Sequence, residues 1–249
     1  LKDSTQNDLL LLGCSFTYGF GVNENGTFAA LMQASMPEWK VRNKAVIGYG
    51  TVQSLLQLED YLTQDTPEMV VLVFSSFHLM RNSLSPAYRH NLKVGYQRSS
   101  SNVYNLMDKA RFTYVQDCDL VIKFASWDSL YQDWPGRNWL ASVNWFQTLQ
   151  DRFNENTAQQ IAVTTCLLQQ MHTLCRERNI PFGVVCLDST KETDQVHDNL
   201  RDVSWQDLGF DFDNPELTNQ PYDSHPNAAG HEYIANRVIP FIKAMEDGN

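Results

Sequence analysis

The sequence is short of positive charge. Nineteen Lys and Arg stand against twenty-nine Asp and Glu, a formal net charge of −10, and no cluster of basic residues breaks that balance. Nucleic acids and anionic membranes both reward such clusters, so neither is expected as a partner. Long apolar runs are absent too. The longest, Met69–Phe74, is far too short to span a bilayer. No signal-peptide pattern is visible. The chain opens on Leu1 and not on methionine, so a leader removed upstream is compatible with it. There is no Gly-x-x-x-x-Gly-Lys phosphate loop, no internal repeat and no low-complexity stretch. No cofactor is expected. The five cysteines (Cys14, Cys118, Cys166, Cys175, Cys186) follow neither a zinc nor a disulfide spacing. Several sit among apolar residues, where a thiol behaves as a small hydrophobe. All five read as free, which inclines the reading toward a reducing, cytoplasmic compartment.

What is present suits one large α/β domain. The chain has 249 residues, 43% of them hydrophobic, enough for a sizeable core. Strands are expected at 8–13, 39–45, 69–74 and 182–187. Helices are expected at 28–35, capped by Thr27, and at 52–62, capped by Thr51. Two longer helices are expected at 157–178 and 228–245. Strand–helix–strand alternation implies right-handed crossovers and a parallel sheet. The rhythm breaks over residues 83–150. That stretch holds four of the six tryptophans and reads as an insertion, either a lid or pocket wall or an extension of the core.

Two segments carry candidate chemistry. Leu9–Leu12 reads as a buried strand, and Gly13-Cys14-Ser15-Phe16-Thr17 follows it directly. A serine at the carboxyl end of a central strand lies where open α/β sheets bind ligands. Near the other end stands Tyr222-Asp223-Ser224-His225-Pro226-Asn227-Ala228-Ala229-Gly230-His231. An Asp two residues before a His lets one turn hold both side chains, so the carboxylate can orient the imidazole. Asp223 reads equally as a turn or cap residue. Asp223, His225 and His231 also make a conceivable metal set, although His231 reads better as a packing or surface residue. His90, His172 and His197 are assigned nothing.

In combination these segments resemble the SGNH (GDSL-type) hydrolase family. The resemblance rests on the Ser15 block, on Asn43-Lys44-Ala45-Val46-Ile47-Gly48-Tyr49-Gly50-Thr51, and on the Asp223–His231 block. It does not cover 83–150. The order tells against an α/β-hydrolase, whose Gly-x-Ser-x-Gly elbow wants glycine where Thr17 stands. The resemblance implies a flavodoxin-like three-layer α/β/α sandwich. It implies Ser15 as nucleophile, His225 as general base and Asp223 as its partner, with an oxyanion hole from the N–H groups of Ser15 and Gly48. It implies a serine esterase acting on a small acyl, acetyl-carbohydrate or lipid ester. An acyltransferase and a non-catalytic binding module are the alternatives. The chain departs from the family at its third block, where an Asn side chain commonly donates to the oxyanion. Here the sequence is Phe74-Ser75-Ser76-Phe77-His78-Leu79-Met80-Arg81-Asn82, and Phe77 falls at the Asn. His78 or Asn82 substitutes, or the hole runs on two backbone donors. Losing one donor typically costs about 2.7–4 kcal/mol. His78 and Arg81 are also candidates for binding a polar or anionic part of the substrate.

Overall fold

A computed structural model describes residues 7–97 and 111–247. The part of the suspected insertion at 98–110 lies outside them. The chain divides into two compact units, residues 1–78 with 165–249, and residues 79–164.

The first unit is built on a five-stranded parallel sheet. Its strands are β1 (Asn7–Leu12), β2 (Trp39–Asn43), β3 (Met69–Phe74), β6 (Phe182–Cys186) and β7 (Ser204–Asp207), in the order β2-β1-β3-β6-β7. β3 is apolar throughout, and β1 is so after Asp8, because both of their faces are covered. Leu9, Leu10, Leu11 and Leu12 of β1 are all 0% exposed, and each contributes about 1.5–3 kcal/mol by leaving water. The edge strands read Trp-Lys-Val-Arg-Asn and Ser-Trp-Gln-Asp, polar as edges are. β7 was not legible in the sequence for that reason.

Helices cover both faces. On one, Leu9, Leu11, Val71 and Val185 share a core with α2 (Phe28–Ser35) and α10 (Ala228–Asp247) through Phe28, Met32, Ile234, Val238 and Ile242. Leu10, Leu12, Val70 and Leu72 point the other way by strand alternation and are equally buried. Helices α3 (Thr51–Gln64) and α8 (Thr157–Arg176) bury Val52, Leu55, Leu58, Leu168 and Met171. The short α9 (Lys191–Asn199), capped by Thr190, links β6 to β7. This is the α/β/α sandwich expected. Thr27 caps α2 as expected, its hydroxyl accepting from Ala30 N–H at 3.2 Å. Thr51 does not cap α3. Gly50 is the cap, and its N–H donates to Gln53 Oε1 at 2.8 Å.

From β1 the chain passes to β2 on one side and later to β3 on the other. The carboxyl end of β1 is therefore a topological switch point, where a crevice opens. Ser15 begins the short helix α1 (Ser15–Tyr18) at that point.

The second unit contains α4 from Leu79 onward (α4 is Phe77–Asn82), α5 (Pro86–Gln97), the antiparallel pair β4 (Arg111–Tyr114) and β5 (Lys123–Ser126), α6 (Trp127–Leu130) and α7 (Ala141–Phe153). Leu84 and Leu130 are buried at its centre, packed by Tyr88, Leu92, Phe112 and Tyr114. The expectation of five free thiols is corrected. Cys118 and Cys166 are disulfide-bonded, while Cys14, Cys175 and Cys186 are free. A reducing compartment therefore no longer follows from the cysteines. No helix among the described residues is long and apolar enough to cross a membrane.

Candidate active site

Ser15 is set by the glycine before it. Gly13 has φ +153°, and a Cβ there would lie 2.3 Å from Thr17 Oγ1 and 3.0 Å from the Val73 carbonyl. No side chain fits, so Thr17 and β3 close over a bare backbone. Gly13→Ala is expected to lower stability by on the order of 2–3 kcal/mol and to displace Ser15. Urea melts beside an ester-hydrolysis assay measure both.

The Gly48 turn is tied to the Ser15 turn. Val46 N–H donates to the Gly13 carbonyl at 3.2 Å, and Asn43 Nδ2 donates to the Thr17 carbonyl at 2.7 Å. Gly48 has φ +84°, and no atom lies within 4 Å of where a Cβ would stand, so its glycine is required by conformation and not by crowding. Neither Ser15 N–H nor Gly48 N–H has an acceptor among the described residues. Both donors are open to a ligand.

His225 Nε2 lies 2.8 Å from Ser15 Oγ, and His225 Nδ1 lies 3.1 Å from Asp223 Oδ1. The same Asp223 oxygen accepts the His225 backbone N–H at 2.7 Å. That is an Asx turn, and it explains how a two-residue spacing suffices: the carboxylate shapes the loop and meets the ring with one atom. With Asp223 on Nδ1, the tautomer carries its proton there and Nε2 is left to accept from the serine hydroxyl. Phe16 stacks on the imidazole at 4.7 Å and 28°, and Phe20 meets it at 4.7 Å and 51°.

The residues around His225 hold its loop. Asn219 N–H and Nδ2 both donate to the His225 carbonyl, at 2.9 and 3.1 Å. Asn227 Nδ2 donates to the Thr218 carbonyl at 2.9 Å, while its Oδ1 accepts from Gly230 N–H at 3.0 Å and caps α10. A Cβ on Gly230 would fall 2.1 Å from the Leu217 carbonyl. His231 is fully buried, and its Nδ1 accepts from Phe28 N–H at 3.1 Å, at the start of α2. Among the described residues no group of three His, Cys, Asp or Glu is arranged to hold a metal.

Burial, and then the charge of nearby His225, push His231 down from 6.5 to about 4. Its neutral form is the one the fold holds. Its contribution to stability is therefore complete above about pH 6.5 and declines as pH falls toward 4. His231→Ala is expected to cost about 1–3 kcal/mol at neutral pH, from the orphaned Phe28 N–H. It is also expected to flatten the fall in melting temperature as the medium is acidified from neutral toward the lowered pKa. Thermal melts across that range read both effects.

The third block is differently arranged. Phe77 stands against Phe16 at 5.4 Å and Phe212 at 6.2 Å, so it belongs to the aromatic wall behind His225. His78 is fully buried against the rings of Phe74 and Phe77, at 5.5 and 5.1 Å. Asn82 is also fully buried, and its Nδ2 donates to Thr164 Oγ1 at 2.9 Å. The Arg81 guanidinium lies over the Tyr88 ring at 5.9 Å. One residue missed by sequence reasoning organises this block. Asp188, 8% exposed, accepts from Ser75 Oγ at 2.7 Å, from Ser76 N–H at 2.9 Å and from Ser76 Oγ. It pins the segment that leads into Phe77. Nothing local marks an Asp more than a hundred residues downstream as its partner.

Three solved structures superpose along nearly the whole chain. The crystal structure of TesA matches with a TM-score of 0.52 at 11% identity, over 96% of this chain and 99% of that one. The psychrotrophic esterase EstA from Pseudoalteromonas sp., in a structure inhibited by monoethylphosphonate, matches at 0.53 and 12%, over 97% and 100%. A two-domain esterase (CEX) active on acetylated mannans, co-crystallised with mannopentaose, matches at 0.54 and 12%, over 97% of this chain and 50% of that one. These structures share the α/β/α fold of this chain. At these identities the likeness speaks for the fold alone. No protein-family model matches the sequence, and no curated relative is found. In this chain the carboxyl ends of β1 and β3 lead into Ser15 and Phe77, and the Gly48 turn follows β2.

Proposed function

We propose that this chain is a serine ester hydrolase of the SGNH type. The observation that carries the reading is the hydrogen-bond chain Ser15 Oγ–His225 Nε2–His225 Nδ1–Asp223 Oδ1, at 2.8 and 3.1 Å. Ser15 Oγ attacks the ester carbonyl and gives its proton to His225 Nε2. Asp223 steadies the imidazolium. The Ser15 and Gly48 N–H groups meet the oxyanion. His225 then protonates the leaving alcohol, and the acyl-serine is cleared by water activated on the same imidazole. The hole runs on two backbone donors, with Phe77 as apolar wall where a third donor would stand. Esterases of the same fold, one of them active on acetylated mannans, support ester substrates for this site.

The non-catalytic alternative expects His225 beyond about 4–5 Å from Ser15, and the 2.8 Å contact speaks against it. The acyltransferase alternative shares every residue named. Product analysis separates them. The chain is incubated with p-nitrophenyl acetate, p-nitrophenyl octanoate and acetylated mannan, and free acid is measured against acyl transferred to added glycerol or oligosaccharide. Free acid as the dominant product supports the hydrolase. Turnover that requires the added alcohol overturns it in favour of the transferase.

A further inference from the structure

The second unit carries an open cleft of about 530 Å³, within the size range of small-molecule sites. Its lining is mostly polar, with Leu84, Pro86 and Leu130 as the aliphatic part. Gln132, Gln150, Asn154 and Arg89 line it beside the Trp134 ring. Each free amide offers a paired donor and acceptor, the pattern that matches neighbouring hydroxyls on a sugar ring.

Gln132, Gln150 and Asn154 stand on the exposed rim, while the segment carrying Trp134 is fixed from within. Gln147 is 3% exposed, and its amide fixes the segment that carries the aromatic platform. Its Oε1 accepts from Trp134 N–H at 2.8 Å, and its Nε2 donates to the Gln132 carbonyl at 2.9 Å. Trp134, held in this way, still exposes 41% of its surface. Behind it, Tyr131 O–H donates to Asp151, and Arg137 donates to the Tyr131 oxygen and lies 3.9 Å from Asp151. Asp133 stands 3.6 Å from Arg137, and His90 Nε2 is 3.3 Å away. Asp151, which also lines the cavity, shares Arg137 with Asp133.

Arg89 is not neutralised. It forms no ion pair among the described residues, and its buried Nε has no acceptor. A buried, unpaired guanidinium N–H is costly, and this one lines the cavity of a chain with net charge −10. Arg89 is the one Arg or Lys among the described residues that line it, so an anionic group on a ligand would meet its guanidinium.

We propose that this cavity binds an acidic oligosaccharide. One ring stacks on Trp134, its hydroxyls pair with the amides of Gln132, Gln150 and Asn154, and its carboxylate meets Arg89. The inference stands on the second unit alone and is independent of the ester-hydrolase reading.

Titration calorimetry on the full chain tests it. The probes are oligogalacturonate, oligomannuronate and chondroitin oligosaccharides, each beside its carboxyl-reduced neutral form, with inorganic phosphate as a plain anion. At least one acidic oligosaccharide is expected to bind saturably. Arg89→Gln is expected to weaken it tenfold or more while leaving the carboxyl-reduced form unchanged. Trp134→Ala is expected to weaken both forms, and Trp134→Phe to restore much of the loss. No saturable binding from any acidic probe overturns the proposal. So does binding that survives Trp134→Ala, or phosphate binding as tightly as the sugar. Melting curves of each variant show that the unit is folded when the titration is read.

Discussion

Ser15→Ala lowers kcat for ester hydrolysis by roughly 10⁶-fold, and His225→Ala lowers it about as far. The two changes together cost little more than either alone, because the pair acts as one unit: with no acceptor at Nε2 the hydroxyl stays protonated, and with no hydroxyl the base has nothing to activate. KM is expected to change little, since neither side chain binds substrate before the transition state. Some acceleration over water persists, because the open N–H groups of Ser15 and Gly48 remain. Asp223→Asn falls between, losing roughly 10⁴-fold through the wrong imidazole tautomer. Its carboxylate also shapes the loop through the His225 N–H, so the Asn side chain, which still accepts there, is the cleaner substitution than Ala. Initial rates with p-nitrophenyl acetate measure the four variants against wild type. A Ser15→Ala enzyme within tenfold of wild type would place the activity elsewhere.

Asp188→Ala is expected to be the most damaging change away from the serine, costing about 3–5 kcal/mol. Three donors converge on this carboxylate, from Ser75 Oγ, Ser76 N–H and Ser76 Oγ. Removing it leaves a buried donor on Ser75 and two half-buried donors on Ser76 without acceptors, and releases the turn between β3 and Phe77. Phe77 packs on Phe16, which stacks on His225, so the aromatic wall loosens where the imidazole leans on it. Asp188→Asn keeps an acceptor oxygen, and hydroxyls can rotate to meet its N–H groups, so it should recover more than half of the loss. Urea melts give the stability, and kcat at a temperature where each variant is folded gives the effect on the site. Equal loss in Ala and Asn would assign the role to charge instead of hydrogen bonding.

The legible parts of this chain were those where one physical cause dominates. Met69–Phe74 reads as a strand because both of its faces are covered, which leaves no polar position to confuse the pattern. The Asp223–His231 block reads as a unit because each residue answers a local need: an Asx turn, a helix cap at Asn227, a bare backbone at Gly230. What failed depends on distant partners. Asp188 gains its meaning from Ser75 and Ser76. The polar edge strand β7 is made by pairing with β6. His231 is the packing residue it reads as, and only its hydrogen bond from Phe28 N–H, brought to the ring by α2, was out of reach. The disulfide-bonded Cys118 and Cys166 lie far apart in sequence and follow no framework spacing. In the third block Phe77 reads as a gap in a hydrogen-bonding scheme, and in the fold it is one ring of the cluster that seats His225.

The proposed mechanism requires Ser15 to be an activated nucleophile. A fluorophosphonate probe reports this directly, because it reacts with a serine that a base has activated and forms a stable phosphonyl adduct. Wild type, Ser15→Ala and His225→Ala are treated side by side, and intact-mass and peptide-level mass spectrometry locate the adduct. Stoichiometric labelling of the wild type at Ser15 is expected, with none of either variant. A folded wild-type protein that takes up no probe, or one labelled at another residue, would contradict the mechanism.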